Sequence, residues 1–449
     1  MPVHPIEFRY SYPEMYAIFT EEAKLQKWLD VEVALAWAHA KLGTIPEEAA
    51  EEIARKGKVG IVKLDRVKEI DREIHHDLMA MVRAFTEVCD GDAGKFIHLG
   101  ATSYDTEDTA LALQLRDALA IMEGDLRELL GVLLKQAEDH KETLTIGRTH
   151  GQHAVPMTYG MKFAIWASEV ARHLDRLDAA RGRLLVGKMS GAVGTMASFG
   201  EKGFEIQRLT MERLGIEPVL IANQVVQRDR LAELQCVFGL IAGTLDKIAR
   251  EIRNLQRTEI SEMFEPFRQD QVGSSTMPHK RNPHKTERVC GLARLIRSNI
   301  VPALETIALE HERDISNSSL ERIIIPEGFI LTDYILRQMT GILRDAVFDY
   351  ENIERNLNLT LGLTLTEKVM IELVEKGIGR QDAHEMLRRL AMKCWKERRS
   401  LREVMLEDDE ASGLVTEAEL DDWLNPENYI GTAVEQVEKA VQTLRERYP

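Results

Sequence analysis

Proline is absent between Pro46 and Pro156, between Pro156 and Pro218, between Pro218 and Pro266, and between Pro326 and Pro426. Proline lacks an N–H and its ring clashes with the preceding turn, so spans without it are where long helices can run. The apolar pattern fills those spans. From Asp105 onward Leu111, Leu115, Ala118, Leu119, Met122, Leu126, Leu129, Leu130 and Leu133 recur at spacings of three and four, one apolar stripe along a helix of many turns. Asp105 and Thr106 can cap its start. Met161, Ala164, Ala167, Val170, Ala171, Leu174 and Leu177 repeat the pattern after Pro156, and so does the stretch from Leu231 to Ile252. Alternation with period two is almost absent and aromatic residues are only 6% of the chain, so strand signals are weak. The expected fold class is all-α, a bundle of long helices.

With 449 residues, 44% of them apolar, the chain can bury a large core and fill two or three domains. The expected division is an N-terminal helical domain over 1–104, a central long-helix domain over 105–360 with a loop at 268–286, and a C-terminal helical domain over 361–449. Acidic residues outnumber basic ones, 74 to 58, for a net charge of -16, which argues against nucleic acid or an anionic membrane as a general partner. Cys89, Cys236, Cys290 and Cys394 form no CxxC pair, so neither a disulfide framework nor a thiolate metal site is expected. The start, MPVHPIEFRYSYPEM, has no basic-then-apolar leader, and no apolar run approaches the ~20 residues of a membrane span. A soluble cytoplasmic protein is the expectation.

Six polar islands interrupt the helical pattern: RYSYPEM (9–15), HHD (75–77), HLGATSYD (98–105), GRTHGQH (147–153), GSSTMPHKRNPHK (273–285) and ERDISNSSLER (312–322). A helical bundle does not need them for stability. His150 and His153 stand three apart, but Gly147 and Gly151 suggest a turn there, and no HExxH or third ligand is near, so no metal is expected. An imidazole ordinarily titrates near neutrality, so a histidine at position 150 suits an acid or base as well as a loop tie. His75, His76 and Asp77 read as a solvated helix face or as an imidazole with a carboxylate beside it. Thr102, Ser103 and Asp105 read as a cap whose free N–H groups could also receive an anion. Arg313, Ser318 and Arg322 place two guanidinium groups and a hydroxyl within ten residues, a complement for phosphate, although Glu312, Asp314 and Glu321 also suit a charged surface. Arg9 and Tyr10 carry little signal alone. In GSSTMPHKRNPHK Gly273, Pro278 and Pro283 break any helix while Ser274, Ser275, His279, Lys280 and Asn282 crowd donors into the break. It has neither the P-loop nor the GxSxG spacing. A lid over an anion site is the preferred reading.

GSSTMPHKRNP resembles the signature of the fumarase/aspartase superfamily, whose members cleave C–N or C–O bonds and release fumarate. HLGATSYDTEDTA and GRTHGQHAVP precede it in the order that superfamily places them. RYSYPEM, HHD, NQVVQRDR (223–230) and ERDISNSSLERIIIPE resemble, within it, the adenylosuccinate lyase family. The resemblance implies a three-domain helical homotetramer with a central bundle of 20 helices and sites built from three subunits, acting without metal or cofactor. It implies β-elimination from phosphorylated succinyl-purine substrates, adenylosuccinate and the succinylated aminoimidazole carboxamide ribotide, with Ser274 as base and His150 as acid. Lys280, Asn282, Thr149 and Ser275 would stabilise the carbanion. Thr102, Ser103 and Gln224 would hold the succinyl and purine portions, His76 would assist as a second histidine beside Asp77, and Arg9, Tyr10, Arg313, Ser318 and Arg322 would hold the nucleotide. His75 departs from the Arg or Thr that many members carry there. The alternatives are a sister enzyme, such as 3-carboxy-cis,cis-muconate cycloisomerase or argininosuccinate lyase, and a non-catalytic helical scaffold.

Overall fold

The computed structural model describes residues 4–267, 274 and 276–448, and it is mostly helical. The stripe from Asp105 belongs to the helix Ser103–Asp139, whose 37 residues extend about 55 Å at 1.5 Å per residue. Leu115, Ala118, Leu119, Met122, Leu126, Leu129, Leu130 and Leu133 on that stripe are buried. The other long helices are Tyr159–Leu184, Asp229–Leu255 and Ser316–Arg344. The last runs through Pro326, which the proline argument reads as a break. Pro326 cannot donate to the carbonyl four residues back, that of Arg322, yet burial of Ile324, Ile325, Phe329 and Ile330 around it keeps the helix whole.

Two further expectations change. The Ser103 helix starts two residues earlier than Asp105, which acts from inside the first turn. Its carboxylate reaches back to the Thr102 N–H at 2.9 Å and also accepts from the Ser190 and Gly191 N–H groups, each at 2.9 Å, and from the fully buried Lys188 ammonium. The all-α expectation also misses strands. Leu144–Thr149 and Gln152–Thr158 form an antiparallel hairpin, and two-residue strands pair at Val186–Gly187 with Glu217–Pro218 and at Met263–Phe264 with Val347–Phe348. The hairpin register slips between Ile146 and Arg148, a bulge at Gly147 that erases the alternation by which a strand is recognised.

The chain divides into two compact units. The first contains Met1–Leu126, His173–Leu245 and Gly291–Arg337, and its core gathers Leu25, Trp28, Leu29, Leu35, Ile53, Leu78, Met81 and Phe85 with Met189, Ile206 and Met211. Each such side chain contributes about 1.5–3 kcal/mol on burial. The second contains Arg127–Arg172, Asp246–Cys290 and Gln338–Pro449, with a core of Val369, Leu373, Leu387, Leu390, Leu401 and Trp423. All four cysteines are free thiols. Among the described residues no helix is long and apolar enough to cross a membrane.

Candidate active site

In the first unit a cavity of about 520 Å³ collects three of the six islands. His75, His76, Asp77, Ser103, Tyr104, Glu107, Arg313, Ser318 and Arg322 all line it. Chain geometry explains the meeting. The helix Leu64–Ile74 ends on His75 in the left-handed conformation, φ 51°, and His76 caps the next helix, Asp77–Val88, by accepting the Met79 N–H on Nδ1 at 3.4 Å. In the neutral ring the proton then sits on Nε2, 3.4 Å from Ser103 Oγ. Ser103 with Glu107 and Ser318 with Arg322 are pairs four residues apart, each on one face of its helix.

The cavity is charged and internally paired. Arg322 Nη2 lies 2.7 Å from Asp77 Oδ2 and 3.7 Å from Glu107 Oε2, while Lys24 Nζ stands 3.9 Å from Asp77. Burial by itself would raise the Asp77 carboxyl, but Arg322 and Lys24 outweigh it and hold it below the ordinary range. Burial, reinforced by Asp77, pushes Glu107 up to about 7. Arg313 stacks 3.7 Å above the Tyr104 ring and donates from Nη1 to Gln224 Oε1 at 3.1 Å, so Gln224 joins the site through it. Its Nε is buried without a hydrogen-bond partner among the described residues. Burial drives the Tyr104 hydroxyl up to about 12. Behind the cavity Arg228 holds Asp108 at 2.8 and 2.9 Å and Glu321 at 3.0 Å, a buried triad that fixes the Ser103 and Ser316 helices beneath these side chains.

In the second unit His150 and Gly151 form the two-residue tip of the hairpin, with φ of 55° and 73°, the backbone that a tight hairpin turn with two left-handed residues requires. Thr149 precedes it, and both Thr149 and His150 are exposed. The base of the hairpin hangs on Glu262, fully buried, which accepts from the Arg148 guanidinium, from Tyr159 OH at 2.7 Å and from Asn356 Nδ2 at 2.8 Å. Burial works to raise Glu262, but these donors hold it low. His153 lies on the second strand, half-buried. Among the described residues no three His, Cys, Asp or Glu side chains converge as a metal site.

The loop shows both of its ends. Gln256 donates to the Arg281 carbonyl at 3.1 Å, and the buried Glu265 accepts from the Thr286 N–H at 2.9 Å, pinning the start of the helix His284–Ser298. Ser274 Oγ accepts the N–H groups of Thr276 at 3.3 Å and Met277 at 3.1 Å. Lys280 is exposed, and the Asn282 carbonyl accepts the His284 N–H at 2.9 Å. Ser275 lies outside the described residues. Arg9 is exposed over the Tyr10 ring at 5.7 Å, and Tyr10 packs edge-on to Tyr334. Asp71, Tyr104, Glu107, Ile315 and Ser319 also line the cavity without having been singled out in the sequence, and Lys24 stands beside it through Asp77. For Glu107 a signal existed, its position one helical turn beyond Ser103.

Comparison with known proteins sorts this arrangement by class and then by family. A family model described as "Lyase" matches residues 7–297. The solved 3-carboxy-cis,cis-muconate lactonizing enzyme from Pseudomonas putida superposes with a TM-score of 0.91 at 35% identity over 99% of both chains. A fumarate lyase from Mesorhizobium sp. BNC1 superposes at 0.90 and 30% identity, covering 98% of this chain and 100% of that one. Fold and signature loop thus define a lyase of the fumarase/aspartase class. A second model, "Adenylosuccinate lyase C-terminus", matches residues 362–440. Adenylosuccinate lyases from Pyrococcus abyssi and Methanocaldococcus jannaschii are 57% and 51% identical over 99% and 100% of this chain and 99% and 97% of theirs. The chain belongs to the adenylosuccinate lyase family.

Proposed function

We propose that the chain splits adenylosuccinate into AMP and fumarate by β-elimination, and the succinylated aminoimidazole carboxamide ribotide of purine biosynthesis in the same way. The observation that carries this reading is the cavity of the first unit, where Arg313, Arg322, Ser318 and His76 offer guanidinium, hydroxyl and imidazole donors and Arg313 Nε is buried with no protein partner among the described residues. That is the chemistry of a phosphate site. The full-length relatives that carry the name adenylosuccinate lyase supply the substrate.

In this mechanism Ser274 takes the C–H proton beside a carboxylate, the electron pair forms the C=C bond of fumarate, and the C–N bond breaks as His150 protonates the departing nitrogen. A serine hydroxyl is a weak base until ionised. The Thr276 and Met277 N–H groups on Ser274 Oγ favour the alkoxide, and Lys280 adds positive charge. Lys280, Asn282, Thr149 and Ser275 stabilise the carbanion, whose charge spreads into the carboxylate. Thr102, Ser103 and Gln224 hold the succinyl and purine portions, His76 with Asp77 stands beside them, and Arg9 and Tyr10 complete the nucleotide contacts with Arg313, Ser318 and Arg322. The reading calls for no metal or cofactor. It includes a cytoplasmic homotetramer with a 20-helix core, three domains per chain, and sites shared among three subunits.

Succinyladenosine, which lacks the phosphate, tests the anion reading. Its kcat/KM falls at least about 100-fold below that of adenylosuccinate if two charge-assisted contacts are lost, each worth ~1.5–3 kcal/mol. Equal kcat/KM for the two compounds refutes a phosphate site.

A further inference from the structure

Beside the cavity four helices each send one charge into a common cluster. Lys24 comes from the helix Glu21–Lys41, Asp77 from Asp77–Val88, Glu107 from Ser103–Asp139 and Arg322 from Ser316–Arg344. Arg322 bridges Asp77 at 2.7 Å and Glu107 at 3.7 Å, and Lys24 approaches Asp77 at 3.9 Å. Arg322 has half its side chain exposed, 48%, whereas that of Glu107 is 14% exposed. A second cavity of about 220 Å³ lies against Lys24 and Glu107, where apolar groups such as Phe19, Trp28 and Leu111 share the lining with polar ones such as Asp108, Gln114 and Glu321. With little of its side chain in solvent, Glu107 depends on its cations to stay ionised.

We propose that Glu107 is a positioning residue that couples phosphate binding to the uptake of one proton: an anion that draws Arg322 into the cavity removes a cation from Glu107, whose carboxylate then takes a proton from solvent. This rests on the phosphate reading of the cavity. Burial and Asp77 already push Glu107 up to about 7 against the pull of Lys24 and Arg322, so a proton is within reach at neutral pH. Of the other charged groups facing it, Asp108 and Glu321 are tied to Arg228, Tyr104 stays protonated, and burial lowers Lys24. Asp71, His75 and His76 line the same cavity, and the phosphate itself takes up a proton near pH ~6. A Glu107→Gln variant keeps all of these groups and removes only the carboxyl.

The sign follows from linkage. Below about pH 7 Glu107 already carries its proton and uptake on binding is small; above it, uptake approaches one proton and affinity falls with rising pH. Calorimetric titration of the full chain with AMP at pH 8, in two buffers of different ionisation enthalpy, reads this directly. Wild type is expected to take up close to one proton more than Glu107→Gln, and its affinity to weaken about tenfold more between pH 7 and 8.5. Equal proton inventories in the two proteins overturn the proposal. So does an absence of uptake by wild type at pH 8, whether or not the variant folds. A merely structural Glu107 shifts the melting temperature and leaves the inventory alone. Failure of wild type to bind AMP at any pH removes the phosphate reading itself, and the proposal with it.

Discussion

Arg322 stands where the phosphate reading meets stability. Its pairs with Asp77 and Glu107 sit at a half-exposed site and contribute about 1 kcal/mol or less to folding, whereas a charge-assisted contact to phosphate is worth ~1.5–3 kcal/mol. Arg322→Ala is thus expected to raise KM for adenylosuccinate roughly 10- to 100-fold while the melting temperature barely moves. A large fall in melting temperature with unchanged KM makes Arg322 structural instead. His150 poses the opposite problem, because its left-handed backbone is unfavourable for most replacements. Asn tolerates that conformation, so His150→Asn keeps the turn and removes the acid. The expected loss in kcat is about 10²–10⁴ with the hairpin intact; wild-type turnover in that variant removes His150 from the mechanism. At this scale residues with unusual chemistry were legible, and those whose role is set by surroundings were not. His76, Arg313, Ser318 and Arg322 stood out as donors, while Glu107 and Lys24 read as ordinary charges on helix faces until burial and neighbours changed their meaning.

The elements are held in place by buried charge as well as by apolar stripes. Asp105 joins the first turn of the Ser103 helix to the segment 188–191, and both it and Lys188 are fully buried. Lys188→Met leaves that carboxylate without its cation and is expected to cost roughly 3–5 kcal/mol in denaturant unfolding. A loss below about 1 kcal/mol, the size of a surface pair, contradicts the account. Glu32 plays a similar part for His98, accepting from its ring Nδ1 at 2.8 Å and its backbone N–H at 2.9 Å. Burial lowers the His98 imidazole, but Glu32 more than compensates and the folded value is raised. That stabilisation is complete below the unfolded value of about 6.5 and is lost as pH rises through the raised folded value. Stability measured upward from pH 6 should therefore decline more steeply in wild type than in His98→Gln; parallel curves refute it. Long helices were legible because period and proline agree over many turns. The hairpin was not, because the Gly147 bulge, Pro156 in the second strand and exposed polar residues conceal its alternation.

For the whole molecule, sequence order could not say which islands meet. HHD, HLGATSYD and ERDISNSSLER converge because a left-handed His75 and a shared helical face bring residues more than 200 positions apart to one cavity. GRTHGQH and the signature loop belong to the other compact unit, and the proposed sharing of each site among subunits gives a reason for six incomplete fragments. The measurement that tests the account most directly is to incubate the purified full chain with adenylosuccinate and no added metal, following the ultraviolet change while AMP and fumarate are assayed separately. The account predicts AMP and fumarate in equal amounts. Neither product from a folded protein, with turnover instead of argininosuccinate, aspartate, malate or carboxymuconolactone, would contradict it.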